Sequence, residues 1–187
     1  MRKRLSISAL VGVALGISAL TAQAQDKATE LTAGLLGYTS TTLSCTGCTT
    51  SASSSTIATG GAYAAVGFYL SPGLALEPSL SLSSSSGGGS TSTVFVIGVS
   101  APIYFDKGWG RKGWYFAPAV TYLTVSCTGC TSDSQFGLGA AIGYKVALNA
   151  NAALRIHASY DYGFESSNSK TKSSTFGIGF GLSAFIQ

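Results

Sequence analysis

Apolar and polar side chains alternate strictly from Leu154 to Glu165, in the segment LRIHASYDYGFE. One parity is apolar or aromatic throughout, and the other carries Arg155, His157 and Asp161. Successive side chains of a β-strand point to opposite faces, so this pattern predicts a strand with one apolar and one charged face. Such a strand separates two environments, of which one is apolar, either a protein core or a lipid bilayer.

The same alternation recurs in seven further segments of the chain. Their apolar rows lie at 31–38, 58–70, 74–82, 95–103, 114–122, 136–146 and 176–186. The first two rows alternate less cleanly than the others. Each row has about the length that a tilted strand needs to cross a bilayer. The pattern therefore predicts eight strands.

Two kinds of connector alternate between these predicted strands. Compact turns rich in Gly, Pro, Asn or charge lie at 71–73, 106–113 and 147–151. Polar Ser/Thr/Gly tracts lie at 44–55, 83–92, 126–134 and 166–174. Barrels of the outer membrane have short periplasmic turns and longer external loops. With both termini in the periplasm, we expect the compact turns inside and the polar tracts outside the cell.

Aromatic residues gather near both ends of the predicted strands. The group near the compact turns comprises Tyr69, Tyr104, Phe105, Trp109, Trp114, Tyr115 and Tyr144. The group toward the polar tracts comprises Tyr38, Tyr122, Tyr160, Tyr162 and Phe164. Amphipathic rings are favoured at membrane–water interfaces, so the two groups predict the girdles of a membrane barrel. A soluble β-sandwich is the alternative, but Gly, Ala and Ser opposite the apolar rows suit a crowded interior better than a wet surface.

The N-terminus has the features of a secretory signal. Residues 2–4 are basic, 5–20 are uncharged and largely apolar, and 22–24 form a small-x-small cleavage site. We therefore expect a signal peptide at 1–24 and one barrel domain at 25–187. Removing the signal leaves eight of the eleven basic residues against seven acidic ones, a net charge of +1. No basic stripe remains for a nucleic-acid partner.

Charge is sparse in this chain. Charged residues make up 10% of it, against about 25% in soluble domains. After residue 25, no apolar run is long enough for a membrane-spanning helix. An exported chain with this composition favours an all-β fold, an eight-stranded antiparallel transmembrane β-barrel. We predict that it resides in the bacterial outer membrane, with outer-membrane lipid around it.

Two segments resemble a known family. Residues 65–105, AVGFYLSPGLALEPSLSLSSSSGGGSTSTVFVIGVSAPIYF, are similar to the hairpins of small outer-membrane barrel domains such as the OmpA transmembrane domain and OmpX. The final strand, FGIGFGLSAFIQ, is similar to the assembly signal of that family, although it ends in Gln187 and Phe185 is the nearest aromatic. The resemblance implies the fold rather than any particular activity.

The cysteines lie in a repeated hexapeptide, SCTGCT, at 44–49 and 126–131. Both copies fall in predicted external tracts, after the first and fifth strands. A disulfide within each Cys-x-x-Cys fits an oxidising compartment. A tetrathiolate metal site requires both loops to meet over the barrel, and bridges between loops or neighbouring molecules are the remaining alternative. The residues concerned are Cys45, Cys48, Cys127 and Cys130.

The charged parity predicts a network of ion pairs inside the barrel. Charges in so narrow an interior must pair, since an unpaired charge there is costly. We expect Arg155 to pair with Glu77 and Asp161. A gated proton or ion path is the functional alternative to this packed plug. The predicted network comprises Glu77, Lys145, Arg155, His157, Asp161 and Glu165, with Glu30 as a further candidate.

His157, Ser159 and Glu165 share one parity and suggest an esterase, as in the lipid-A deacylases of this barrel size. That parity faces the predicted interior, which a lipid ester cannot reach, and Tyr160 stands where the deacylase motif has Asn. We therefore expect no catalytic residue, no cofactor and no resident metal.

The function that we predict is that of a non-enzymatic structural or surface protein. Its Ser/Thr-rich and Cys-Thr-Gly-Cys loops would serve adhesion, lattice contacts or envelope integrity. Its partners would then be further copies of the chain or lattice neighbours. A passive, porin-like channel for small solutes and a lipid-A-modifying enzyme are the alternatives.

Overall fold

The computed structural model describes residues 29–45, 51–59, 63–87, 90–106, 110–129 and 131–186. The predicted signal peptide lies outside them. No helix among the described residues is long and apolar enough to cross a membrane. The strands are β1 (Thr29–Cys45), β2 (Ala52–Thr59), β3 (Ala64–Ser71), β4 (Leu74–Gly87), β5 (Ser90–Ser100), β6 (Ile103–Tyr104), β7 (Gly113–Cys127), β8 (Asp133–Asn149), β9 (Ala152–Gly163) and β10 (Thr171–Ile186).

The strands form one antiparallel sheet that closes on itself. Its order is β10-β9-β8-β7-β5-β4-β3-β1, and pairing of β10 with β1 closes the ring. β2 and β3 both pair with β1 and are successive parts of one wall strand. The short β6 follows β5 and pairs with β4 and β7. The prediction of eight wall strands is therefore confirmed.

The two ends of the barrel differ. Thr29 pairs with Ile186 at one end, which also carries the tight turns at 72–73 and 150–151. We call this the turn end. Gly73 allows the first of these turns, because its φ of 88° lies in the left-handed region that glycine tolerates. The opposite end, where β1 leads to β2, β4 to β5, β7 to β8 and β9 to β10, is the loop end.

Strands extend further at the loop end than the sequence predicted. Most of the tract expected as a loop at 83–92 is the hairpin of β4 and β5. Hydroxyl groups hydrogen-bond across it, Ser84 with Thr93 at 3.3 Å and Ser86 with Thr91 at 3.0 Å. Cross-strand Ser and Thr pairs stabilise a ladder, so a polar tract continues as strand beyond the apolar row.

Burial in this barrel is the reverse of that in a soluble protein. Large apolar side chains are exposed around the ring, and Leu82 is 64% exposed. Glu30 and Lys145 are fully buried. Soluble domains seldom bury Lys or Glu completely, whereas a membrane barrel presents its apolar row to lipid and its polar row to the interior.

The irregular alternation near the N-terminus has a local cause. The register of β1 against β10 shifts between Gly34 and Leu36, and both Leu35 and Leu36 are exposed. A β-bulge inserts one extra residue and so changes the parity of everything after it. The second irregular row, at 58–70, spans the break between β2 and β3.

The predicted girdle of aromatic residues at the turn end is partly wrong. Phe105, Trp114 and Tyr144 face outward, and the last two rings meet edge to face at 5.2 Å. Trp109 lies outside the described residues. The remaining members occupy the inward parity and are buried inside the barrel: Tyr69, Tyr104 and Tyr115. In the loop-end group, all five aromatic residues are exposed. Four of them lie on strands, and Phe164 directly follows β9.

Phe185 also faces the interior. It is 5% exposed and packs with the buried tyrosines, whereas its neighbour Ile186 faces outward. Phe185 therefore does not take the lipid-facing place of a terminal aromatic residue in the C-terminal strand.

Candidate functional site

Two ion pairs set among tyrosines fill the turn-end half of the interior. We call them, with those tyrosines, the ion-pair cluster: Glu30, Glu77, Lys145, Arg155, Tyr69, Tyr104 and Tyr115. Lys145 Nζ lies 2.5 Å from both carboxylate oxygens of Glu30 and donates to Tyr104 Oη at 2.6 Å. Tyr69 donates its hydroxyl proton to Glu30 at 2.6 Å. Each charge of this pair is thus balanced and hydrogen-bonded.

The second ion pair joins Arg155 to Glu77. Arg155 Nη1 lies 2.7 Å from both carboxylate oxygens of Glu77, and Arg155 Nε donates to Tyr115 Oη at 2.6 Å. The guanidinium carbon also stands 4.7 Å from the centre of the Tyr115 ring. A buried ion pair is tolerated only where further hydrogen bonds satisfy both partners. Arg155 has such a further bond to Tyr115, whereas Glu77 accepts from Arg155 alone among the described residues.

The cluster draws one charged residue from each of four strands. Lys145 on β8 lies directly opposite Arg155 on β9 in the ladder, and like charges in such positions repel. The carboxylates of Glu30 on β1 and Glu77 on β4 approach from elsewhere in the ring and each neutralises one cation. Closure of the barrel therefore makes the cluster possible.

Three members of the predicted network lie outside the cluster. Asp161 forms no ion pair among the described residues, so its expected pairing with Arg155 is wrong. Its side chain lies over Gly139, nearer the loop end. His157 meets the ring of Tyr63 edge to face, with centroids 6.0 Å apart.

Glu165 is exposed at the loop end, where it lies 3.9 Å from Lys170 Nζ. The prediction that it faces the interior is wrong. Parity along β9 selects a face of the sheet but not a depth in the barrel. Residues of equal parity at 155, 157, 161 and 165 therefore reach successive levels from the ion-pair cluster to the rim.

The proposed esterase residues do not come together. His157 Nδ1 has no hydrogen-bond partner among the described residues, and the Ser159 hydroxyl lies against Gly177. Glu165 is at the rim beside Lys170. A nucleophile and its base must lie within hydrogen-bond reach, with a third group that orients the base. This arrangement does not provide such a triad.

Glycines make room for large inward side chains. A Cβ atom at Gly179 would lie 2.5 Å from His157 Cε1, and one at Gly34 would lie 2.8 Å from Tyr63 Cδ1. Both contacts are too close for any residue other than glycine without displacement of the ring. The glycine-rich inner face of β10 is therefore a packing feature, as its sequence suggests.

The tyrosines of the ion-pair cluster are the residues that sequence reasoning missed as part of the interior. Their aromatic character suggested a membrane girdle. Parity in the sequence could have placed them inside, since Tyr115 alternates with the outward residues Trp114 and Phe116. Tyr69 likewise shares its parity with the buried Ala65.

At the loop end, Asp133 holds the 164–170 loop against the start of β8. Its carboxylate accepts hydrogen bonds from Asn168 N at 2.9 Å, Ser167 Oγ at 3.0 Å and Ser169 N at 3.2 Å. The Ser169 hydroxyl donates to it as well. Burial acts to raise the pKa of Asp133, but these hydrogen bonds favour the ionised form and lower the pKa below its usual value.

The barrel wall is split at the loop end between β2 and β4. β3 pairs with β4 as far as Ala64 and Leu80. Within the described residues, β2 pairs only with β1, and β4 from 82 to 87 pairs only with β5. We call these two facing strand edges, Ala52–Thr59 and 82–87, the open seam. Their sequences, ASSSTIAT and LSSSSG, contain neither charge nor proline.

The described cysteines stand on opposite sides of the loop end. Cys45 pairs in the ladder with Thr171, and Cys127 pairs with Ser92. Neither Cys45 nor Cys127 is a free thiol. Cys48 and Cys130 lie outside the described residues, so disulfide pairing within each Cys-x-x-Cys stays a prediction, as does the tetrathiolate alternative.

Comparison with known proteins gives a family and a fold. The model of the outer membrane protein beta-barrel domain family matches residues 10–183, whereas no curated protein matches the chain. Neisserial surface protein A is similar in structure, with a TM-score of 0.59 at 16% identity over 85% of this chain and 99% of that one.

Two further solved structures are similar. OprG from Pseudomonas aeruginosa has a TM-score of 0.53 at 12% identity, over 86% of this chain and 97% of that one. Ail, the attachment invasion locus protein of Yersinia pestis, has a TM-score of 0.48 at 13% identity, over 85% and 99%. Because the family match covers most of the sequence, the chain belongs to the outer membrane protein beta-barrel domain family and lies in the lipid of the bacterial outer membrane.

Proposed function

We propose that this protein is a non-enzymatic surface protein that binds an extended peptide segment of an extracellular partner at the open seam. The observation that carries the proposal is the pair of facing strand edges, Ala52–Thr59 and 82–87, which share no ladder among the described residues. An added strand would gain backbone hydrogen bonds there, which is the usual basis of peptide capture by a sheet edge.

The composition of the open seam supports this role. An exposed strand edge is a template for pairing, and proteins usually protect it with Lys, Pro or a bulge. Both edges of the open seam are uncharged and contain no proline, and apart from Ile57 and Leu82 they consist of Ala, Ser, Thr and Gly. Backbone pairing on such an edge depends little on the partner's side chains, so the binding would tolerate varied partner sequences.

The position of the open seam also supports it. The lipid-facing apolar row of β4 ends at Leu82 and continues as Ser84 and Ser86. An unpaired backbone in hydrocarbon would cost several kcal/mol for each polar group, so the serine-rich part of the open seam beyond Leu82 belongs in water. Because the short turns of such barrels face the periplasm, the loop end and its seam would face the outside of the cell.

The test uses the full barrel in detergent micelles and a fluorescein-labelled octapeptide of alternating Thr and Val. Fluorescence anisotropy should report saturable binding to the unaltered protein. Ser84→Lys places a charge on the open seam and should weaken binding at least about tenfold, or about 1.4 kcal/mol. The matched control is Ser174→Lys on β10, a strand paired on both sides at that position.

The same peptide with N-methyl groups at alternate residues cannot form the full set of backbone hydrogen bonds and should not bind. Equal binding to the Ser84 and Ser174 variants would contradict the proposal. Retained binding of the N-methylated peptide would contradict strand addition as its mechanism.

A passive channel is the second candidate function. It is favoured by partly exposed inward side chains in the loop-end half, such as Thr121 and Ser159. It is opposed by the ion-pair cluster, whose Lys145 and Tyr115 are fully buried across the other half. Single-channel recordings in planar bilayers separate the two functions: we expect no conductance steps, and regular steps would favour the channel.

A further inference from the structure

Asp161 has an unusual position among the charges of the interior. Among the acidic and basic residues on the inner faces of the described strands, Glu30, Glu77, Lys145 and Arg155 are all paired, whereas Asp161 has no ion pair among the described residues. No hydrogen bond to the Asp161 carboxylate occurs within the described part of the chain either. Its side chain lies over Gly139 on the inner wall.

The Asp161 carboxylate has no countercharge near it among the described residues, because Arg111, the remaining interior cation, lies at the turn end against the ring of Phe185. The ion-pair cluster contains two cations and two anions and is neutral. A carboxylate inside so narrow a barrel is costly unless water or a cation compensates it. Because the described chain places no cation beside Asp161, compensation must come from the solvent side.

The loop-end half of the interior has room for such a partner. The inward residues Thr121, Ser159 and Asp161 are only partly buried, in contrast to the fully buried members of the ion-pair cluster. Among the described residues, a Cβ atom added at Gly37 would contact only the Ile178 carbonyl oxygen, at 3.7 Å. We call this space the vestibule. Its wall consists of Asp161, Ser159, Thr121, Gly37 and their inward neighbours.

The floor of the vestibule has polar atoms without partners. Tyr63 and His157 lie ring to ring above the ion-pair cluster. Neither Tyr63 Oη nor His157 Nδ1 has a hydrogen-bond partner in the described structure, although both atoms are buried. Buried polar atoms of native proteins are nearly always hydrogen-bonded. The floor can therefore bond to water or to the polar end of a ligand.

We propose that the vestibule binds a small primary ammonium compound, whose ammonium group pairs with the Asp161 carboxylate. Asp161 and His157 are four residues apart on β9, or about 13 Å along the strand. A compound of a few carbon atoms therefore fits between the carboxylate and the floor. A bound metal ion is less suitable, because no group of three metal-binding side chains occurs in the described ranges. The site is independent of the open seam.

The experiment titrates ethylammonium chloride into the isotope-labelled full barrel in detergent micelles, followed by NMR. Saturable shifts are expected at the amides of Ser159 and Asp161. Ethanol and sodium ethanesulfonate, which match the ligand in size, should cause no saturable shift. Asp161→Asn should weaken ethylammonium binding at least about tenfold, while Glu165→Gln, which alters the carboxylate at the rim, should leave it unchanged.

A second variant keeps the test decisive if Asp161→Asn does not fold. Gly37→Val projects a side chain into the open space and should also reduce binding, with Asp161 intact. Equal affinity in the Asp161 variant and the unaltered protein would overturn the proposal. So would equal shifts with ethanol, or shifts confined to the rim around Glu165. These outcomes leave the octapeptide assay at the open seam unaffected.

Discussion

The two halves of the barrel interior are built from strands of the same parity but are packed in opposite ways. In the turn-end half, every charge of the ion-pair cluster has an opposite charge. Tyr69 also donates a hydrogen bond to Glu30, while Lys145 and Arg155 donate to the hydroxyl oxygens of Tyr104 and Tyr115. In the loop-end half, Asp161 stands without a described partner between glycine and serine walls. The two halves therefore differ in whether their charges are compensated by the chain itself, which separates a packed, paired half from a half with room beside an unpaired carboxylate.

The difference comes from the size of the inward side chains. Tyr69, Tyr104 and Tyr115 fill the cross-section at the turn end, as expected of eight-stranded barrels whose interior side chains just fill it. Beyond Tyr63 and His157 the inward residues are mostly Gly, Ser, Thr and Ala. Small residues cannot fill the same cross-section, so water can reach Asp161.

The largest expected effect is on the ion-pair cluster. Lys145→Met leaves the Glu30 carboxylate buried without a countercharge, so we expect it to lower the free energy of unfolding by about 3–5 kcal/mol. Urea unfolding in micelles, followed by the gel mobility of the folded barrel, measures the change. Lys170→Met, which breaks the exposed pair with Glu165, should cost no more than about 1 kcal/mol. Similar losses in the two variants would contradict the structural role of the cluster.

The next effect concerns the packing of glycine against the floor of the vestibule. Gly179→Ala forces the His157 ring to move and should cost about 1–3 kcal/mol in the same unfolding assay. Gly37→Ala is the matched control, because its new methyl group enters open space, and we expect a change within about 0.5 kcal/mol. If the two alanine variants were equally stable, the interior would be as loose at His157 as it is at Gly37.

A smaller effect of opposite sign is expected at Asp161. Asp161→Asn removes an uncompensated charge and should raise the free energy of unfolding by up to about 1 kcal/mol. Glu77→Gln, which removes a compensated charge from the ion-pair cluster, should lower it. A clear loss of stability in the Asp161 variant would mean that this carboxylate has a structural partner, and the contrast between the two halves would fail.

The smallest effect is a local dependence on pH at the rim. Hydrogen bonds lower the pKa of Asp133 below its value in an unfolded loop, so their contribution is fully present above about pH 4. It is lost as the pH falls through the lowered pKa of the folded state. The NMR signals of the Asn168 and Ser169 amides should therefore shift only well below pH 4. In Asp133→Asn this transition should disappear. A midpoint of the NMR transition at or above pH 4 in the unaltered protein would contradict the role of the Asp133 hydrogen bonds in holding the 164–170 loop.

Several features of the site could be predicted from sequence and others could not. Parity along β4 and β9 placed Glu77 and Arg155 on the inner face, and the structure joins them. Parity does not predict how far along the barrel axis a side chain lies. Asp161 and Glu165 were therefore assigned to the same network as Arg155, although Asp161 lies nearer the loop end and Glu165 lies at the rim. The open seam was not predicted, because the end of a ladder depends on the neighbouring strand and leaves no mark in the alternation itself.

The sequence by itself determined the eight strands, their lipid-facing rows and the polar character of the interior, because side-chain direction in a strand has a period of two. Only the tertiary structure decided which charges meet. Glu30 and Lys145 are 115 residues apart in the chain, and ring closure and strand stagger bring them to one level. The same closure leaves Asp161 at a level where no described cation faces it. Pairing in a barrel depends on depth as well as on face, and depth is a property of the assembled sheet.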